Sequence, residues 1–107
     1  MSSINWKYQV VIEFLCTNED DFDRILAVED AAITKCGDTC KIDGHDIGNG
    51  IMNLFILSNS YSDAKALILN LPELRGLDTH MRMGYRLVDN SEYHPLYPPD
   101  LTVFKLR

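Results

Sequence analysis

Two rhythms run along the chain. In residues 6–16, Trp6, Tyr8, Val10, Ile12, Phe14 and Cys16 alternate with Lys7, Gln9, Val11, Glu13 and Leu15. A period of two rich in aromatic and β-branched residues predicts a strand. Thr17 to Asp21 then offers a helix cap with acids in the first turn, where they face the positive helix end. The helix is expected to run to about Cys36, with Phe22, Ile25, Leu26, Ile33 and Cys36 on one stripe. Gly37-Asp38 stops it. Glu29 falls inside that stripe, so it must either find a partner or reach out at the edge of the sheet.

Residues 39–47 form a weaker strand, 51–57 a strongly apolar one, and Asn49-Gly50 lies between them. Asn-Gly between strand-like runs predicts a two-residue hairpin with positive φ at both positions. That turn fixes a register in which Gly48 faces Ile51, Asp46 faces Asn53, Gly44 faces Phe55 and Ile42 faces Leu57. Opposed residues share a face. The apolar set Ile42, Gly44, Ile51, Phe55 and Leu57 is therefore expected under the helices. Asp43, His45, Met52, Leu54 and Ile56 are expected on the other face.

Ser60 with Asp63 three residues on resembles a capping box. A second helix follows, with Ala64, Leu67, Ile68 and Leu71 on one side, ended by Pro72 and Gly76. His80 to Val88 alternates again, with Met81, Met83, Tyr85 and Leu87 opposite Arg82, Gly84 and Arg86. Asp89 to Asp100, with Pro95, Pro98 and Pro99, reads as an extended loop. Leu101 to Arg107 reads as a last strand.

The order strand, helix, strand, strand, helix, strand predicts an α+β fold of ferredoxin-like βαββαβ type. It has an antiparallel sheet, both helices on one face and an extra C-terminal strand, all within a single domain, residues 1–107. The expected open face carries Glu13, Asp43, His45, Met52, Leu54, Ile56, Arg82 and Arg86, an apolar floor ringed by charge. Glu13 is expected to pair with Arg82 or Arg86. The face could take a ligand or partner; it could equally be covered by residues 89–107 or by a second copy.

Charge changes what this fold can meet. The chain has a formal charge of −6, and between Glu13 and Asp46 acids outnumber bases ten to three. Phosphate backbones would be repelled, so nucleic acid is excluded as a partner; a basic protein would be attracted. Glu19, Asp20, Asp21, Asp23 and Asp30 on the outer side of the first helix are the residues expected to draw it. No run of residues approaches the roughly 18 apolar positions needed to span a bilayer, and the start lacks the layout of a signal peptide. The expected location is the cytoplasm, with no membrane partner.

The three cysteines, Cys16, Cys36 and Cys40, contain no Cys-x-x-Cys and are expected to be reduced, although Cys36 and Cys40 lie near enough to bridge. Asp43 and His45 are too few for a metal site. Gly44, Gly48 and Gly50 precede a strand, not the helix a phosphate cradle needs. Cys40 and His45 sit on opposite faces of one strand, which makes them poor nucleophile and base.

The expected function is therefore a small acidic protein-binding module without catalytic residues, metal or cofactor. An immunity-type inhibitor masking a basic protein is its concrete form. The alternative is a small-molecule-binding protein or small enzyme using the open face, with Arg82 and Arg86 on an anion and His45 or Glu13 as the acid-base group. A homodimer would form through the sheet face or the 101–107 strand.

Overall fold

A computed structural model describes residues 5–106. Residues 1–4, and Arg107 at the end of the expected last strand, lie outside the described residues. The first strand is Tyr8–Leu15 (β1). The first helix, Glu19–Cys36 (α1), begins at Asn18, whose Oδ1 accepts the Asp21 N–H at 2.8 Å. Strands Cys40–Gly48 (β2) and Ile51–Ser58 (β3) form the hairpin. Asn49 and Gly50 have φ of 54° and 77°, the paired positive values that the Asn-Gly turn requires.

The second helix, Tyr61–Leu69 (α2), is capped by Ser60 Oγ, which accepts the Asp63 N–H at 3.2 Å. Two short helical turns, Pro72–Leu74 and Asp78–His80, lead into Arg82–Leu87 (β4). The last strand is His94–Tyr97 (β5). The sheet order is β2-β3-β1-β4-β5, and every neighbouring pair is antiparallel. This is the ferredoxin-like arrangement with one strand added beyond β4.

The added strand is not the one the pattern predicts. Residues 101–106 carry no ladder, whereas His94–Tyr97 pairs with β4, Tyr85 facing His94 and Gly84 facing Pro95. An edge strand tolerates a proline because its outward side needs no N–H donor. With that edge taken, the alternation in 101–106 serves packing instead: Phe104 is buried, and Val103 and Leu106 are exposed.

The hairpin register holds from Gly48–Ile51 through Asp46–Asn53 to Gly44–Phe55, then slips. Ile42 faces Ile56 rather than Leu57, and Asp43 is the extra residue beside Gly44, whose φ is 109°. Such a bulge kinks the edge strand and raises its twist.

The faces of β3 are the reverse of those expected. Val10, Ile12 and Phe14 of β1 oppose Ile56, Leu54 and Met52. These six are buried in the core with Ile25, Val28 and Ala32 of α1 and Ala64 and Ile68 of α2. Met52, Leu54 and Ile56 therefore lie under the helices, and Ile51, Asn53, Phe55 and Leu57 lie on the second face. The misreading has a physical cause. A central strand is buried on both faces, so both of its alternating sets are apolar. The informative residue is the polar one, Asn53, which faces Glu13 on β1.

Cys36 and Cys40 form a disulfide, with Cα atoms 5.1 Å apart, in place of the reduced pair expected; Cys16 is a free, buried thiol. The bridge ties the C-terminus of α1 to the first residue of β2.

Candidate functional site: the seam between the first helix and the edge strand

The second face is organised in rows across the strands. One row holds Asp46, Asn53, Glu13 and Arg82, each opposite the next in the ladders. Asn53 Nδ2 donates to Asp46 Oδ1 at 3.1 Å, and Arg82 donates from Nε and Nη2 to the two Glu13 oxygens at 2.8 and 3.0 Å. Glu13 is 1 % exposed, so this side-on pair is what makes burial of the carboxylate tolerable. A second row joins Gln9 to Arg86, whose Nε donates to Gln9 Oε1 at 2.9 Å; the Tyr93 hydroxyl donates to the same oxygen at 3.2 Å.

The chain's own C-terminal segment covers the β1–β4 half of this face. Phe104 lies against Gly84, the Arg82 guanidinium sits 5.4 Å from the Phe104 ring centre, and Arg86 sits 5.9 Å from that of Tyr93. The expected open site is thus divided. Glu13, Arg82 and Arg86 stay together on the second face. Met52, Leu54 and Ile56 belong to the core, Asp43 is exposed at the bulge, and His45 points to the helix side.

That last placement defines the more open surface. His45 opposes Leu54, and its Nδ1 lies 3.1 and 3.0 Å from the two oxygens of Glu29 on α1. The Glu29 side chain is 12 % exposed, so the acid inside the apolar stripe does have a partner. Phe22 packs edge-on to His45 at 6.5 Å between centres. Ile47, two residues beyond His45 on the same strand face, is 53 % exposed. Ile33, one helical turn beyond Glu29, is 54 % exposed and borders a cavity of about 280 Å³ with Cys36, Cys40 and Ile42. The helix and strand run in opposite directions, so Ile33 and Ile47 stand at the two ends of the Glu29–His45 contact.

Charge surrounds this seam. Glu19, Asp20, Asp23 and Asp30 are exposed on α1, and Asp38 and Asp43 are exposed beside and on β2. Asp21 differs from its neighbours: Oδ2 accepts the Thr17 N–H and hydroxyl, each at 3.1 Å, so it closes the helix start. β2 is also one of the two edge strands of the sheet. Its bulge and its Lys41, Asp43 and Asp46 guard that edge against strand addition.

Among the described residues, no group of three or more His, Cys, Asp or Glu is placed to hold a metal ion, and no helix is long and apolar enough to cross a membrane. Comparisons with family models, with curated proteins and with solved structures found no match to this chain. The seam was only half legible in sequence. The acids on α1 are plain, but Ile33 reads as core and Ile47 as an ordinary strand residue. The true face of His45 carries Ile47 with it; nothing in the helical stripe marks Ile33 as exposed.

Proposed function

We propose that this chain is a non-enzymatic protein-binding module that takes a basic protein partner on the α1–β2 seam. The observation that carries this reading is the pair of exposed isoleucines, Ile33 and Ile47, at the ends of the Glu29–His45 contact and within a surround of exposed carboxylates. Apolar anchors inside a polar rim are how protein interfaces are built. The rim charge steers a basic partner and speeds encounter, while the anchors set how long it stays. An immunity-type inhibitor, masking the working surface of a basic protein, is the concrete form. The compartment proposed with it is the cytoplasm; the Cys36–Cys40 bridge argues the other way, since disulfides are rare where thiols are kept reduced.

The test is capture of a partner by the immobilised protein, compared between variants. Ile33→Lys with Ile47→Lys removes the anchors and reverses local charge; Val103→Lys makes the same kind of change on the C-terminal segment. Loss of capture with the seam variant alone supports the seam. Equal capture by both variants rejects it.

A further inference from the structure

The two arginines of the second face are not equivalent. Arg86 is committed to the backbone: Nε serves Gln9, and Nη1 donates to the carbonyl oxygens of Leu87, Val88 and Asn90 at 3.2, 2.9 and 3.1 Å. It is a structural tie that holds the turn after β4. Arg82 spends Nε and Nη2 on Glu13, and Nη1 has no acceptor among the described residues. Its guanidinium is fixed from two directions, by the buried carboxylate and by the Phe104 ring. A cation held this rigidly loses little side-chain freedom when it takes a further hydrogen bond.

Arg82 also lines a cavity of about 350 Å³ at the open end of the face. Leu15, Ile51, Pro98 and Leu101 are among the residues that line it. His80 lines it too, and no acid lines the space itself; Glu13, the carboxylate already held by Arg82, is buried. An open, mostly apolar cleft at the small end of the ligand-pocket range, with one pre-set cationic donor, suits a ligand with an apolar body and one negative end.

We propose that this cavity binds a small amphiphilic monocarboxylate, its tail on Leu15, Ile51 and Leu101 and its carboxylate accepting from Arg82 Nη1. Glu13 is the positioning residue that holds the guanidinium for it. The site lies on the face opposite the α1–β2 seam and stands or falls independently of partner binding there.

The probe is hexanoate, followed by amide chemical shifts, with hexan-1-ol and acetate as controls for the charge and the tail. Saturable shifts at Leu15, Ile51, Arg82 and Leu101 are expected with hexanoate. Each control should bind roughly tenfold or more weakly, because a charge-assisted bond is lost in one and the apolar contact in the other. Hexanol binding as tightly as hexanoate would overturn the role of Arg82. No saturable shift at these positions up to the solubility limit would overturn the site. Leu15→Glu puts a carboxylate in the cavity lining and leaves the Glu13–Arg82 pair in place; it should abolish binding. Leu101→Glu, outside the ladders, makes the same test should the first change disturb β1. Unchanged hexanoate affinity in a folded variant of either kind would contradict the proposal.

Discussion

Nδ1 of His45 lies within 3.1 Å of both carboxylate oxygens of Glu29, joining the edge strand β2 to the middle of α1. The contact is partly exposed, so its contribution is modest. Glu29→Ala or His45→Ala should each cost about 0.5–1 kcal/mol at neutral pH. The double variant should cost less than the sum, which denaturant midpoints in a double-mutant cycle will show. Strict additivity would mean that the two side chains do not meet in solution.

The Glu13–Arg82 pair is of another kind. Glu13 is buried at the centre of the sheet and Arg82 neutralises it. Arg82→Met should destabilise by about 3–5 kcal/mol, because it strands a buried carboxylate. Glu13→Leu combined with Arg82→Met should recover most of that loss, since an apolar pair can occupy the same space. Urea titration separates the cases. A single Arg82→Met variant as stable as the parent would contradict the pairing.

Gly84 and Phe104 fit each other in a way the sequence does not announce. A methyl group on Gly84 would overlap the Phe104 ring. Gly84→Ala should therefore cost about 1–3 kcal/mol, and Phe104→Ala about 3 kcal/mol. In the Phe104→Ala background the alanine at 84 should cost almost nothing, because the obstruction has gone. Additive losses would place Phe104 elsewhere.

These residues also show where sequence reading succeeds and fails. The strong alternation of β1 and β4, the Asn-Gly turn, a helix start within Thr17 to Asp21 and the Ser60 cap are local signals, and each stands in the fold. β3 failed because both of its faces are apolar, and periodicity then cannot say which one meets the helices. One inverted strand carried His45 with it and put Met52, Leu54 and Ile56 on a surface. The edge bulge at Asp43 added a second displacement that no turn rule foresees. That Glu13 would pair with Arg82 or Arg86 was legible, since the order of strands makes β1 and β4 neighbours; the register, with Glu13 opposite Arg82, decides between them. The covering role of residues 89–106 was open in the sequence, because tyrosines and prolines serve an exposed segment and a packed one equally well.

The cysteines give a redox and pH test. Unfolded without reductant, the chain should show one reactive thiol, Cys16, with Cys36 and Cys40 bridged. Opening that short loop should cost about 2 kcal/mol of stability. In the folded protein, burial first and the Asp21 charge second push the Cys16 thiol up. The native state therefore favours the protonated thiol. Its contribution is complete below the unfolded thiol value of about 8.5 and is lost as pH rises through the higher folded value. Iodoacetamide should modify Cys16 much more slowly in the native protein than in urea at the same pH. Equal rates would show that the thiol is not shielded.

Electrostatic steering to the seam is tested by the association rate of this protein with its purified captured partner, measured at about 0.02 and 0.5 M salt, conditions of weak and strong screening. The seam account predicts a fall of roughly tenfold or more in the association rate constant, with the dissociation rate much less affected. An association rate that is the same at both salt concentrations would contradict it.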